Sequence, residues 1–162
     1  MVDDIDYCIL SMLQDDARTP NAEIARRVGM APSAVFERIR KLEERGVIHG
    51  YTAQIDPAAL GLGLLAFVFV RAEEGMGAPD TERMLAEIPE VQEVHHVAGE
   101  DCFLVKVRLK DTTALGRLLR DGIGTMKTVR STRSTIVLDT VKETSHLPLT
   151  SGVPDDTEAI DA

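Results

Sequence analysis

The sequence predicts an α+β protein in which an N-terminal winged-helix or helix-turn-helix domain is followed by a ferredoxin-like βαββαβ domain. Apolar residues recur at helical spacing up to about Gly46, whereas residues 62–149 alternate between apolar runs and short helical patterns. Residues 56–63 contain a proline and two glycines, which is typical of a linker. We expect a first domain of residues 1–50, a linker of residues 51–61, a second domain of residues 62–149, and an acidic, mobile tail of residues 150–162.

The first two helices are bounded by recognisable signals. The first is expected over residues 4–13, with Ile5, Cys8, Ile9 and Leu13, or near neighbours, on its buried side. Thr19 is expected to cap the second helix, with Pro20 at its first helical position. Gly29 supplies the left-handed stop that ends it.

The third helix has the features of a recognition helix. It begins after Ala31 and ends near Gly46, and Val35, Ile39 and Leu42 form its inward stripe. Positions 26 to 45 hold six basic residues against three acidic ones, in a chain whose formal net charge is -9, so basic charge is concentrated there. The residues expected to contact double-stranded DNA are Arg26, Arg27, Pro32, Ser33, Ala34, Glu37, Arg38, Arg40 and Lys41. The alternative is a stable three-helix bundle that does not bind DNA.

Several segments carry a resemblance to a known family. They are residues 4–10 (DIDYCIL), residues 13–18 (LQDDAR), residues 37–43 (ERIRKLE), residues 45–51 (RGVIHGY) and the glycine-acidic loop at Gly99. These segments resemble the Lrp/AsnC family of feast/famine transcriptional regulators, and the likeness extends to about Leu149. It implies a sequence-specific DNA-binding regulator. Ala31 departs from the pattern, because the family usually has a serine or threonine there that caps the recognition helix, and losing such a cap costs about 1 kcal/mol.

The second domain follows the order βαββαβ. Its predicted elements are an apolar strand in residues 62–72, a helix in residues 79–88, strands in residues 91–98 and 102–109, a helix in residues 112–121 and a strand in residues 128–141. Pro79 stands where the first of these helices begins, and Pro89 follows where it must stop. This order is the split βαβ arrangement, with both helices on one face of an antiparallel sheet.

The first strand of this domain is apolar on both faces. Leu65, Phe67 and Phe69 point away from the face that the helices cover, so a second copy of the sheet is the simplest cover for them. A lone domain shielded by its linker and tail is the alternative. The resemblance implies a dimer through these sheets, often assembled further into octamers. A dimer with two helix-turn-helix units would read half-sites about 34 Å or a multiple apart, so the operator is expected to be palindromic.

The turn at Gly99-Glu100-Asp101 is the candidate effector site. Turn geometry alone explains a glycine and an aspartate in a hairpin. The resemblance implies a free amino acid bound near this loop, at the interface between dimers. Carried over by position, the effector site consists of Gly99, Glu100 and Asp101, with Ser134 as a contributor. Cys102 stands where many family members have an acidic residue.

The composition narrows the remaining classes of function. Adjacent His95 and His96 point to opposite faces of a strand, and Cys8 and Cys102 form no Cys-x-x-Cys pair, so we expect no metal, no cofactor and a reduced cytoplasmic protein. No signal peptide or membrane span is recognisable. Sirohaem decarboxylases share the overall fold and are the enzyme alternative. This alternative is disfavoured because such an enzyme needs aromatic residues around its macrocycle, and the chain has no Trp and just two Tyr. A protein-interaction module that has lost DNA binding is the other alternative.

Overall fold

The chain folds as two compact units, and the computed structural model describes residues 2–73, 80–99 and 102–149 of it. The helix unit comprises the residues up to Ala53 together with the segment that begins at Glu143. The sheet unit is Gln54–Lys142. The sequence assigns residues 143–149 to the second domain, but in the structure they group with the helices. The predicted helix start at Pro79 and the tail of residues 150–162 lie outside the described residues.

The helix unit contains the three expected helices. They are α1 (Asp4–Asp15), α2 (Asn21–Val28) and α3 (Pro32–Glu44). Their common core is formed by Ile9, Ile24 and Val35, all fully buried, as the helical spacing of apolar residues predicts. Gly29 has a φ of 68°, so the left-handed end predicted for α2 is confirmed.

The expected cap of α2 by Thr19 is wrong. Pro20 occupies the cap position with φ -62° and ψ 140°, and its carbonyl accepts from the amides of Glu23 and Ile24. The hydroxyl of Thr19 instead donates to the carbonyl of Asp16, 2.8 Å away, and so closes the preceding turn. Proline takes the cap position because its fixed φ suits the extended backbone there and its missing N–H costs no hydrogen bond.

The sheet unit has the predicted ferredoxin-like order. After a short 3-10 turn at Ala58–Leu60 come β1 (Leu64–Ala72), α4 (Asp80–Ala86), β2 (Val91–His96), β3 (Phe103–Leu109), α5 (Thr112–Arg117) and β4 (Val129–Ile136). The strands lie in the order β2-β3-β1-β4, and every neighbouring pair is antiparallel. The last strand ends at Ile136, five residues before the predicted end, and α5 continues as a π-helical turn, Leu118–Gly122.

One face of the sheet carries the core of this unit. Val68 and Val70 of β1 and Val105 of β3 are fully buried, and they pack with Leu85 of α4 and Leu115 of α5. The helices therefore cover the face predicted from the alternation of β1. Among the described residues no helix has the length and apolar character needed to cross a membrane.

Candidate nucleic-acid interface and effector loop

The solvent side of α3 is a continuous surface of small, polar and aromatic side chains. Val35 and Leu42 are buried, whereas Ser33, Glu37 and Phe36 are exposed. Phe36 was not among the residues predicted to meet DNA, although it is 55% exposed. Helical spacing alone would have identified it, since it lies three residues after Ser33 and four before Arg40. Pro32, Arg40 and Lys41 are exposed on the same helix, and Ala34 is half-buried.

Arg38 turns away from this surface and ties α3 to the start of α1. Its Nη1 atom lies 2.8 Å from Oδ2 of Asp3 and 2.7 Å from Oδ1 of Asp6. The side chain of Arg38 is 28% exposed, and that of Asp6 is 8% exposed. One guanidinium therefore neutralises two carboxylates, one of which is buried.

The two carboxylates also cap α1 reciprocally. Asp3 accepts a hydrogen bond from the amide of Asp6 at 2.8 Å, and Asp6 accepts one from the amide of Asp3 at 3.2 Å. The amide of Asp6 and the Arg38 guanidinium together hold the pKa of Asp3 below its ordinary value of 3.8. Because the pKa is lowered on folding, the contribution of Asp3 to stability is present above pH 3.8 and is lost as the pH falls through the folded-state pKa. The Asp-x-x-Asp spacing could have revealed this cap from the sequence.

Arg40 is exposed but paired on both sides along α3. Its guanidinium lies 2.8 Å from Oε2 of Glu37, and it also pairs with Glu44 one turn later. These carboxylates, with Glu37 the stronger influence, raise the pKa of Arg40 above its usual range. The positive charge of Arg40 is therefore compensated locally by two negative ones.

Arg27 and Lys41 have no such compensation. Both side chains are exposed, and within residues 2–73, 80–99 and 102–149 neither has a carboxylate partner. Arg26 reaches Glu23 only at 3.9 Å and is 77% exposed. The positive charge that is available to an anionic ligand thus lies at the end of α2 and on α3 beside Arg40.

The chain leaves α3 through an anchored exit. Tyr51 donates its hydroxyl hydrogen to Oε1 of Glu43, 3.0 Å away. Burial of the ring, together with this carboxylate, raises the pKa of Tyr51 to about 12, so the hydroxyl stays a donor throughout the physiological range. Gly46, with a φ of 66°, makes the turn between α3 and this exit.

The effector residues predicted from the resemblance are only partly described. Gly99 lies in the turn after β2 with a φ of 140°, which favours glycine. Glu100 and Asp101 lie outside the described residues. The thiol of Cys102 donates to the carbonyl of Ala72 at 3.2 Å, so it joins the end of β3 to β1. Cys102 therefore has a structural contact at the position where the resemblance suggests an acidic residue.

Ser134 does not lie beside this turn in the same chain. It is exposed on β4 and pairs with Val68 of β1, which pairs in turn with Val105 of β3. Gly99 lies in the turn that joins β2 to β3, and in the order β2-β3-β1-β4 this turn is separated from β4 by β1. Neighbouring strands are about 4.8 Å apart. The two residues are thus more than two strand spacings, roughly 10 Å, apart within one protomer.

The outer sheet face has an aromatic centre and a basic rim. Phe67 and Phe69 are half-buried, and the guanidinium of Arg133 lies 4.0 Å from the ring centroid of Phe69. Lys106 pairs across the strands with Phe67, and its Nζ atom lies 2.9 Å from Oε1 of Glu93. Lys106, followed by His95, lowers the pKa of Glu93. The face is therefore less uniformly apolar than the alternation of β1 suggests.

Leu65, which was also expected on the dimer surface, is 6% exposed within the protomer. It is flanked on both sides, because Arg108 of β3 pairs with it and Val137 donates to its carbonyl oxygen as the β4 ladder continues. The apolar area available to a second copy thus comes mainly from Phe67 and Phe69.

The two adjacent histidines have separate contacts. Nε2 of His95 lies 3.1 Å from Oε2 of Glu93, whereas the ring of His96 lies against Phe103 with 5.1 Å between centroids. In the described part of the chain, no three His, Cys, Asp or Glu residues are grouped so that they could hold a metal ion.

A helix-turn-helix with exposed cations, joined to a ferredoxin-like sheet unit, defines a DNA-binding transcriptional regulator of two-domain type. Residues 2–49 match the model of the winged helix-turn-helix DNA-binding family, and residues 65–147 match that of the Lrp/AsnC ligand binding domain. The chain belongs to the Lrp/AsnC family and is a transcriptional regulator. The resemblance stated from the sequence is confirmed.

Known proteins of this kind align over nearly the whole chain. The HTH-type transcriptional regulator FL11 of Pyrococcus horikoshii is 43% identical over 148 residues, which are 91% of this chain and 97% of the relative. The leucine-responsive regulatory protein of Escherichia coli K12 is 37% identical over 90% of each chain. The feast or famine regulatory protein of M. tuberculosis, solved with L-methionine, is 39% identical, with a TM-score of 0.84 over 91% of this chain and 99% of that one.

Proposed function

We propose that this regulator is a homodimer that reads a palindromic operator through α2 and α3, and that its unpaired cations carry the phosphate contacts. The observation that carries this proposal is the pattern of ion pairs on the helix unit. Arg38 and Arg40 are compensated by carboxylates, while Arg27 and Lys41 are exposed without one among the described residues. Cations that are free to neutralise phosphates release counterions from the DNA, and this release increases the affinity.

The remaining residues of the surface then take different roles. Arg26 adds a third cation at the end of α2. Pro32, Ser33 and Ala34 are small and stand at the leading end of α3, where they allow close approach to the base edges. Phe36 offers an apolar contact suited to the methyl group of thymine, and Glu37 suits the exocyclic amine of cytosine. Arg38 acts as a positioning residue, because its ion pairs set α3 against α1.

The dimer is proposed to form through the outer sheet face. Phe67 and Phe69 supply the buried centre, and the pairing of Arg133 with the ring of Phe69 supplies a partly polar rim. An apolar centre surrounded by charged groups is the usual composition of an interface between protein chains. Two helix units carried by one symmetric dimer account for half-sites separated by whole turns of DNA.

Replacing Phe67→Asp and Phe69→Asp together is expected to separate the dimer into monomers. Two carboxylates would have to be desolvated in the interface, and although Lys106 and Arg133 lie beside these positions, an ion pair does not replace the apolar contact of the two rings, whereas the helix-side core would stay unchanged. In sedimentation the wild type should run as a dimer or larger, and the variant should run near the chain mass of 17.7 kDa. A hydroxyl-radical footprint on DNA upstream of the gene should show paired protected segments for the wild type alone.

Thr132→Asp combined with Ile136→Asp is the matched control for that experiment. Both residues are exposed on β4 and pair with Val70 and Ala66, so the two substitutions introduce the same charge on the other face of the sheet. A wild type that sediments as a monomer, or a variant of the two phenylalanines that remains dimeric, would contradict the sheet dimer. Protection of no DNA segment by the wild type would favour the interaction-module alternative.

We infer further that an amino acid regulates this protein at the turn containing Gly99. The support comes from relatives: a leucine-responsive regulator and a structure with L-methionine are similar to this chain over about nine-tenths of its length. Gly99 and Ser134 are more than two strand spacings, roughly 10 Å, apart in one protomer. The resemblance implies a ligand at the interface between dimers, so the proposed site uses Gly99 of one copy and Ser134 of another. Such a site would couple ligand binding to assembly beyond the dimer, up to an octamer.

A thermal-shift screen of the L-amino acids at millimolar concentration tests the effector. A ligand present at 100 times its dissociation constant stabilises the native state by about 2.7 kcal/mol, so methionine or leucine should raise the melting temperature measurably. Ser134→Ala should weaken that response, and Thr132→Ala, two residues earlier on the same face of β4, should leave it intact. If no L-amino acid shifts the melting temperature, the effector proposal is wrong. A Soret band on the purified protein would instead revive the sirohaem enzyme alternative.

A further inference from the structure

The C-terminal segment is held on α1 by the side chain of Gln14. Its Nε2 donates to the carbonyl of Leu147 at 3.2 Å, and its Oε1 accepts from the amide of Leu147 at 2.8 Å. The primary amide thus makes the pair of hydrogen bonds that a neighbouring β-strand would supply. The segment that begins at Glu143 belongs to the helix unit, which the chain leaves at Ala53. The contact with Gln14 holds this segment on that unit.

The described chain then ends next to a cation of the DNA-binding surface. Leu149 lines a groove on the helix unit together with Cys8 and Met12 of α1 and with Arg27 and Val28 of α2. Arg27 is exposed and has no carboxylate partner within the described ranges. Whatever follows Leu149 therefore starts beside a guanidinium that is available to an anion.

The residues that follow carry negative charge only. Residues 150–162 contain Asp155, Asp156, Glu158 and Asp161 and no lysine or arginine. A fully extended chain advances about 3.3 Å per residue, so the segment from Leu149 to Asp155 can span up to roughly 20 Å. That length is enough for a carboxylate of this segment to reach Arg27, which lines the same groove as Leu149.

We propose that residues 150–162 are an intramolecular competitor of DNA, whose carboxylates bind the Arg27 end of the DNA-binding surface until phosphate displaces them. The tether gives the segment an effective concentration in the millimolar range, so a contact with an intrinsic dissociation constant of about 10⁻⁴ M would lower the affinity for DNA about tenfold. The competition weakens all DNA binding by a common factor, so weak non-specific sites lose occupancy first. This inference rests on the proposed DNA-binding surface.

Fluorescence anisotropy with a non-specific duplex at low salt tests the competition. The tail-neutral variant is Asp155→Asn, Asp156→Asn, Glu158→Gln and Asp161→Asn. It should bind the duplex about tenfold more tightly than the wild type. A charge-matched variant on the sheet unit, Glu82→Gln, Glu87→Gln, Glu90→Gln and Asp139→Asn, should gain less than about twofold, because it leaves the negative charge that is tethered beside Arg27 unchanged.

The decisive step is to repeat the comparison in an Arg27→Ala background. If the segment binds at Arg27, the tail-neutral substitutions should change the affinity of the Arg27→Ala protein by less than about twofold, because the residue that the segment binds is already absent. Equal gains in the tail-neutral and charge-matched variants would assign the effect to overall charge and overturn the proposal. A gain that persists undiminished with Arg27→Ala would also overturn it. Absence of duplex binding by every variant would instead overturn the DNA-binding surface itself, and this inference with it.

Discussion

Arg38→Ala is expected to lower the free energy of unfolding of the helix unit by about 2–3 kcal/mol. The loss follows from Asp6, whose side chain is 8% exposed and would lose the guanidinium that lies 2.7 Å from its carboxylate. The amide of Asp3 still donates to Asp6, which keeps the expected cost below that of a fully isolated buried charge. Urea unfolding followed by far-UV circular dichroism measures the effect.

Removing both partners of this ion pair is the control. Arg38→Met combined with Asp6→Asn leaves no unpaired buried charge, because the remaining carboxylate of Asp3 is 53% exposed, so it should recover at least about 1 kcal/mol relative to the sum of the single variants. A helix unit that tolerates Arg38→Ala with unchanged stability would show that the contacts with Asp3 and Asp6 contribute nothing, and would return Arg38 to the set of candidate DNA contacts.

Arg27→Gln combined with Lys41→Gln is expected to weaken operator binding about 30-fold, roughly 1 kcal/mol for each lost phosphate contact. Both side chains are exposed and contribute no ion pair within the described structure, so the fold should be unaffected and the melting temperature unchanged. Anisotropy titrations on the duplex identified by footprinting give the affinity.

The matched control for this pair lies on the same helix. Arg40→Gln combined with Glu44→Gln also removes an exposed arginine from α3, but it leaves the net charge at -9 because one of the two carboxylate partners of Arg40 is removed with it. This control should bind the operator within about threefold of the wild type. A control that loses as much affinity as the Arg27 and Lys41 variant would mean that Arg40 leaves its carboxylates to bind phosphate.

Periodicity predicted the architecture because the helices and strands here are decided by burial. Val35, Ile39 and Leu42 recur as a helix requires, and the alternation of β1 correctly separated Val68 from Phe67. The left-handed end of α2 at Gly29 was equally predictable, since glycine is the residue that most readily adopts a positive φ. The ends of elements were less certain, as the early end of β4 at Ile136 illustrates.

The roles of the basic residues could not be predicted in the same way. Arg38 and Lys41 are three residues apart on one helix, and nothing local distinguishes the arginine that pairs with α1 from the lysine that does not. The distinction depends on Asp3 and Asp6, more than thirty residues earlier, which approach Arg38 only once α1 and α3 are packed. The low exposure of Leu65 could not be predicted for a similar reason, because its neighbours Arg108 and Val137 come from other strands or beyond them.

The salt dependence of operator binding tests most directly whether Arg27 and Lys41 carry the phosphate contacts. The slope of log affinity against log salt falls by about 0.9 for each phosphate that a protein no longer neutralises. For Arg27→Gln with Lys41→Gln the slope should therefore be shallower than that of the wild type by roughly 2, and for Arg40→Gln with Glu44→Gln it should be unchanged. Equal slopes for the wild type and the Arg27 and Lys41 variant would contradict the proposed DNA-binding surface.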